Sequence, residues 1–133
     1  MLKLIIHTDG GSRGNPGPAA TGVYITNEKQ EVVFEEGRYL GRMTNNQAEY
    51  RALVDALGHA ERLGASEVAC FLDSELIVKQ MKHEYKVKDA GLAELFLKVS
   101  NLLTKFKKYS FTHVRREFNK DADRLVNEAL DRR

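Results

Sequence analysis

The sequence predicts an α/β domain built on a mixed sheet, and three observations carry that expectation. The first half is rich in short apolar, β-branched runs separated by turn residues, whereas the second half alternates such runs with helical patterns. Two of the apolar runs, at the start and middle of the chain, pass directly into an aspartate: Thr8-Asp9 and Leu72-Asp73. Parallel connections between strands cross over with a right hand, which places the ends of the first and fourth strands at one edge of the sheet. Asp9 and Asp73 are therefore expected to be neighbours.

The apolar run from Leu2 is expected to form a buried strand with Asp9 as its last residue, followed by a loop carrying Gly10, Gly11, Gly14 and Gly17. A second strand is expected over residues 20–27. Asn27 to Gln30 has turn chemistry, and a third strand returns antiparallel through Val32 to Leu40, with Gly37 marking a bulge. Thr44 is a candidate N-cap for a helix over residues 45–63 that Gly64 stops. The inner stripe of this helix is Leu53, Ala56, Leu57 and Ala60, and Glu49 falls on the same face, four residues before Leu53. A carboxylate in an apolar stripe is costly without a cation or a firm partner. Asp55 and Glu61 lie off the stripe and are expected to be solvated. Residues 67–72 form the fourth strand, residues 74–81 a short helix, residues 90–106 a longer one and residues 109–114 the fifth strand. A last helix over residues 119–130 turns Ala122, Leu125, Val126 and Ala129 inward, with Asp123 bordering that face.

At 133 residues, with 42% hydrophobic and 30% charged residues, the chain fits one domain spanning 1–133 with a core of its own. No apolar run approaches a membrane span and no signal-peptide pattern opens the chain. The single cysteine, Cys70, lies in an apolar run and reads as a small buried residue, consistent with a reducing cytoplasm. A cytoplasmic, free-standing monomer that keeps away from membranes is the expectation. The net charge of +2 selects no partner by itself. Lys79, Lys82, Lys86 and Lys88, with Lys105, Lys107 and Lys108, are either solvated helix faces or a phosphate-binding track.

Four carboxylates delivered by two strand ends and two inward helix faces repel one another unless cations lie between them. Oxygen-only ligation selects hard divalent ions, Mg²⁺ or Mn²⁺, over zinc. Two such ions about 3.5–4 Å apart serve in-line phosphoryl displacement by water.

Thr8-Asp9-Gly10-Gly11-Ser12, Asn15-Pro16-Gly17, Thr44-Asn45-Asn46-Gln47-Ala48-Glu49-Tyr50, Asp73-Ser74 and Asn119-Lys120-Asp121-Ala122-Asp123 resemble the signature of type 1 ribonuclease H. They occur in the family's order from the first strand to the last helix. The resemblance implies a ribonuclease H-like fold, a five-stranded mixed sheet flanked by helices. It also implies hydrolysis of the RNA strand of an RNA–DNA hybrid duplex, leaving 5′-phosphate and 3′-hydroxyl ends. Carried over by position, Asp9, Glu49, Asp73 and Asp123 match the catalytic metal-binding acids, with two Mg²⁺ ions as cofactor, Mn²⁺ as a substitute, and Asp9 touching both. Gly10, Gly11, Ser12 and Asn15 match the loop that meets the RNA strand, where 2′-hydroxyls are read. Thr44, Asn45, Asn46 and Gln47, together with Ser74, match further substrate-binding positions. For Thr44 and Asn45 plain helix capping is the competing role.

Three departures set this chain apart from many relatives. Glu75 replaces a Gln two residues after the third acid. Arg115 and Arg116 occupy the segment where some relatives carry a mobile-loop His, so Arg116 is the candidate for assisting product release, with His113 as the alternative. No Trp-bearing basic insertion separates the short helix from the long one, which makes this the compact form. Competing readings are an integrase- or resolvase-like nuclease, an inactive hybrid-binding module, and a detached part of a polymerase-linked chain.

Overall fold

The structure, a computed structural model, describes residues 1–133. Its elements in chain order are β1 (Lys3–Ser12), β2 (Gly17–Thr26), β3 (Val32–Met43), α1 (Asn45–Arg62), β4 (Glu67–Leu72), α2 (Glu75–Met81), α3 (Ala90–Leu103), β5 (Lys108–His113) and α4 (Lys120–Arg132), with a 3₁₀ turn at Arg116–Phe118 before the last helix. The five strands form one sheet in the order β3-β2-β1-β4-β5. β2 pairs antiparallel with β1 and β3, while β1–β4 and β4–β5 are parallel. The mixed α/β sheet is therefore as expected, and no helix is long and apolar enough to cross a membrane.

Alternation along β1 assigns its two faces. Leu4, Ile6 and Thr8 point into the layer shared with α1 and α3 and are all but fully buried. The main core lies there: Leu53, Ala56, Leu57 and Ala60 of α1 meet Leu4, Ile6, Val23 and Ile25 of the sheet and Val99 of α3. Each fully buried Leu or Ile contributes about 1.5–3 kcal/mol, so this layer is the main source of stability. Thr44 caps α1 in a reciprocal box, its Oγ1 accepting from the Gln47 N–H at 3.1 Å while Gln47 Oε1 accepts from the Thr44 N–H at 3.0 Å. Gly64, at φ +87°, follows the last turn as the sequence predicts.

The opposite face of the sheet carries α4 alone, over β2 and β3, with a small cluster of Ala20, Val126, Ala129 and Leu130. Here the structure corrects the expected bulge at Gly37. The register instead skips Val33 and Leu40, and Gly37 pairs squarely with Gly22, which in turn pairs with Asp9. A Cβ on Gly22 would lie 2.1 Å from the Ala122 carbonyl oxygen, and one on Gly37 2.2 Å from that of Leu125. The two glycines form a trough in which the backbone of α4 rests.

Two further expectations are corrected. Asp9 is not the last residue of its strand, because β2 goes on pairing with Gly10, Gly11 and Ser12; only the β4 side ends before it, at Thr8–Leu72. Asp55 is not solvated: it sits half-buried in a bidentate pair with Arg38, whose Nη2 approaches to 2.7 Å. Cys70 is buried, and its thiol is pushed up to about 12 by that burial.

Candidate active site

The acids meet because each is carried by an element fixed from a different direction. Asp9 lies on the α4 face of β1, in the row Asp9–Gly22–Gly37 that α4 crosses, so Asp123 in the first turn of α4 comes to its side. Gly10 points to the other face. A Cβ there would lie 2.3 Å from the Ala48 carbonyl carbon and 2.4 Å from the Glu49 nitrogen, so its absence lets the first turns of α1 touch β1. That contact brings in Glu49, whose Oε1 accepts from the Gly10 N–H at 2.6 Å; the same N–H reaches Asp9 Oδ1 at 3.0 Å. Asp73 follows β4 where its pairing with β1 stops, and Ser74 caps α2 by accepting from the Ile77 N–H.

Carboxylate oxygens of Asp9, Glu49 and Asp73 lie within 4.8 Å of one another. Asp9 and Glu49 are buried and Asp73 half-buried. Burial is the leading cause that pushes Asp9 up to about 7, and neighbouring acids Asp73 and Asp123 add to it. Glu49 is raised well above its usual range by burial and then by Asp9, and Asp73 is raised by burial. Such a cluster resists ionisation on its own and is relieved by a cation. The donors are all carboxylate oxygens, with neither Cys nor His among them, which suits a hard divalent ion. Asp123 lies beside Asp9 at the edge of this trio, and its Oδ1 meets Arg116 Nη2 at 3.2 Å.

These residues open onto one groove of about 630 Å³. The four acids line it together with Gly10, Gly11, Ser12, Asn45, Asn46, Ser74, His113 and Arg116. Asn15, Thr44 and Gln47 do not. Thr44 and Gln47 are engaged in the α1 cap, and Asn15 Oδ1 accepts the Asn45 N–H at 3.0 Å. Asn45 in turn holds the glycine segment, its Oδ1 accepting from both the N–H and the hydroxyl of Ser12 at 2.9 and 3.0 Å. The lysines of residues 79–88 and 105–108 lie outside the groove; the cations that line it are Arg13, Arg115 and Arg116. Arg13 reaches Asp131 of α4 at 2.7 Å. Its place in the groove was not expected from the sequence, where it is one polar residue among glycines. His113 lies in β5, as expected, but as its last residue, with Nδ1 4.0 Å from Glu75 Oε2.

Residues 7–129 match the reverse transcriptase-like family. A bifunctional protein of Mycobacterium tuberculosis is 44% identical over 98% of this chain, and the chain spans 36% of that relative's length. Ribonuclease HI of Halobacterium salinarum is 45% identical over 97% of the chain, which spans 65% of it. The crystal structure of the Halobacterium salinarum ribonuclease H1 superposes with a TM-score of 0.96 at 42% identity, covering 98% of this chain and 99% of that one. LC11 ribonuclease H1, isolated from compost, has been solved in complex with an RNA/DNA hybrid; it superposes with a TM-score of 0.92 at 47% identity, over 97% of both chains. The five-stranded mixed sheet with its four helices thus belongs to a known enzyme architecture, and the chain is a member of the type 1 ribonuclease H family in its compact form.

Proposed function

We propose that this chain hydrolyses the RNA strand of RNA–DNA hybrids endonucleolytically, with two divalent ions, Mg²⁺ or Mn²⁺, leaving 5′-phosphate and 3′-hydroxyl ends. The observation that carries the reading is the trio Asp9, Glu49 and Asp73, crowded to within 4.8 Å on a groove with Asp123 on its wall. Family membership and a relative solved with an RNA/DNA hybrid support the substrate class. Asp9, Glu49, Asp73 and Asp123 would hold the ions, which supply an activated water and charge stabilisation at the leaving oxygen.

The protein's own groups divide the remaining work. Gly11 leaves backbone bare for close approach of the RNA strand, Gly10, whose side-chain space α1 fills, lines the groove with its backbone, and Ser12, Asn45, Asn46 and Ser74 offer hydroxyls and amides to sugars and phosphates. Glu49, buried within the trio against the Gly10 N–H, would accept from the 2′-hydroxyl beside the scissile phosphate. Thr44, Gln47 and Asn15 act from behind by setting the start of α1. Arg116 draws the product phosphate from the site. The assay that tests the reading compares matched RNA–DNA, RNA–RNA and DNA–DNA duplexes with and without Mg²⁺. Metal-dependent cutting confined to the RNA of the hybrid is expected, needing several consecutive ribonucleotides. Efficient cutting at a single ribonucleotide embedded in DNA, or cutting in a chelator, contradicts it.

A further inference from the structure

Asn119 stands at the start of α4, where an Asn ordinarily caps the helix, yet its side chain makes no capping hydrogen bond. It is instead one of the most deeply buried side chains in the molecule, at 1% exposure. Its Nδ2 donates to the Thr8 carbonyl oxygen at 2.8 Å, in the strand residue that immediately precedes Asp9. A carbonyl only accepts, so the nitrogen must face Thr8, and the amide's orientation is fixed by chemistry. Its Oδ1 is consequently left buried without a partner. A polar group is seldom held at that cost unless its position matters. The same amide offsets part of the upward push that burial gives Asp73.

The backbone of Asn119 completes the arrangement. Its carbonyl accepts the Asp123 N–H at 3.1 Å, and its own N–H donates to the Arg116 carbonyl at 2.9 Å. Elsewhere α4 rests on β2 and β3, through Gly22 and Gly37. Asn119 is the buried side-chain tie from the start of that helix to β1, at the point where the β1–β4 ladder ends.

We infer that Asn119 is a positioning residue for the metal site, fixing Asp123 on α4 relative to Asp9 and Asp73 on the sheet. The inference rests on the proposed hydrolytic reading for its catalytic consequence, but not for its effect on metal affinity. Asn119→Leu keeps the branched shape, adds no charge and removes the orphaned Oδ1 along with the donor, but its methyls are bulkier than the amide and the Thr8 carbonyl loses its partner. It should therefore fold with a lowered melting temperature and lose metal affinity and turnover at temperatures well below that melting. Calorimetric titration of the protein alone with Mn²⁺ should show affinity reduced about tenfold in Asn119→Leu and in Asp123→Asn, with the double variant no weaker than Asp123→Asn. With hybrid, kcat should fall about tenfold while KM stays within about twofold. Asn119→Ala repeats the cycle should the leucine fail to fold. A folded variant with wild-type Mn²⁺ affinity overturns the inference, as does a loss that adds fully to that of Asp123→Asn. A wild type that binds Mn²⁺ but cuts no hybrid defeats the hydrolytic reading instead, and the affinity cycle still decides the role of Asn119.

Discussion

Glu49 and Asp123 reach the same groove on helices that approach the sheet from opposite faces, and they are held in opposite ways. α1 brings Glu49 from the side of the main core, where Leu53 and Leu57 lock the helix down, and the carboxylate ends buried against the Gly10 N–H with no cation beside it. α4 brings Asp123 from the thin side, across a trough of glycines, and the carboxylate ends half-exposed beside the Arg116 guanidinium. The difference teaches that Glu49 carries a charge no cation relieves, while Asp123 is already paired with Arg116, whose charge also eases Asp73, and depends on how its helix is aimed.

Removing the residue on which both helices converge should have the largest effect. Asp9→Asn is expected to lower hybrid cleavage by at least about a thousandfold while the fold persists. Without metal the variant should be more stable by about 1–2 kcal/mol, since a buried charge is lost from the cluster. Cleavage assays with thermal melts in a chelator check both parts.

The two close approaches can be broken separately. Gly10→Ala and Gly22→Ala each drive a Cβ into backbone, and each should destabilise by about 2–3 kcal/mol. Gly11→Ala, whose Cβ would meet only a Val126 methyl at an ordinary 3.7 Å, should cost less than about 1 kcal/mol. Urea denaturation of the three variants measures the contrast.

The electrostatic half of the comparison predicts a pH dependence. Asp9 titrates at about 7 in the folded chain against an ordinary 3.8, a raised carboxyl. Folding is then favoured most below about 4, and this contribution is lost as pH rises through about 7. In a chelator, stability should therefore fall between pH 4 and pH 7, by an amount on the order of a few kcal/mol. Mg²⁺ should remove most of the slope, and Asp9→Asn should flatten it. Denaturation at a series of pH values, with and without Mg²⁺, reads the sign directly.

How much of this was legible in the sequence follows from the range of the interactions. The strands, the cap at Thr44 and the anomalous Glu49 are written in local patterns, and the parallel crossover rule alone put Asp9 beside Asp73. Gly37 was misread because a glycine within a strand looks the same whether the backbone bulges there or a helix 85 or more residues later lies on it. Asp55 was misread for a similar reason: its partner Arg38 lies on another element, outside any helical period. Asn119 reads as the first residue of the last helix; its tie to Thr8, far away along the chain, leaves no local pattern to be read.

The smallest effect should come from the exposed side of the comparison. Arg116 is 78% exposed at its side chain, so Arg116→Ala should leave stability within about 0.5 kcal/mol. Multiple-turnover cleavage should slow about threefold to tenfold, with the first turnover little changed, if product release is the slow step. Should His113→Ala slow turnover while Arg116→Ala matches the wild type, the assisting role passes to His113.

The central claim is that Asp9, Glu49 and Asp73 form a divalent-metal site. Anomalous diffraction at the manganese edge, from crystals of the intact protein soaked in Mn²⁺, tests it most directly. A peak ligated by Asp9, Glu49 and Asp73 is the predicted result. Anomalous density confined to surface acids, from crystals whose dissolved protein still cuts the hybrid with Mn²⁺, would contradict it.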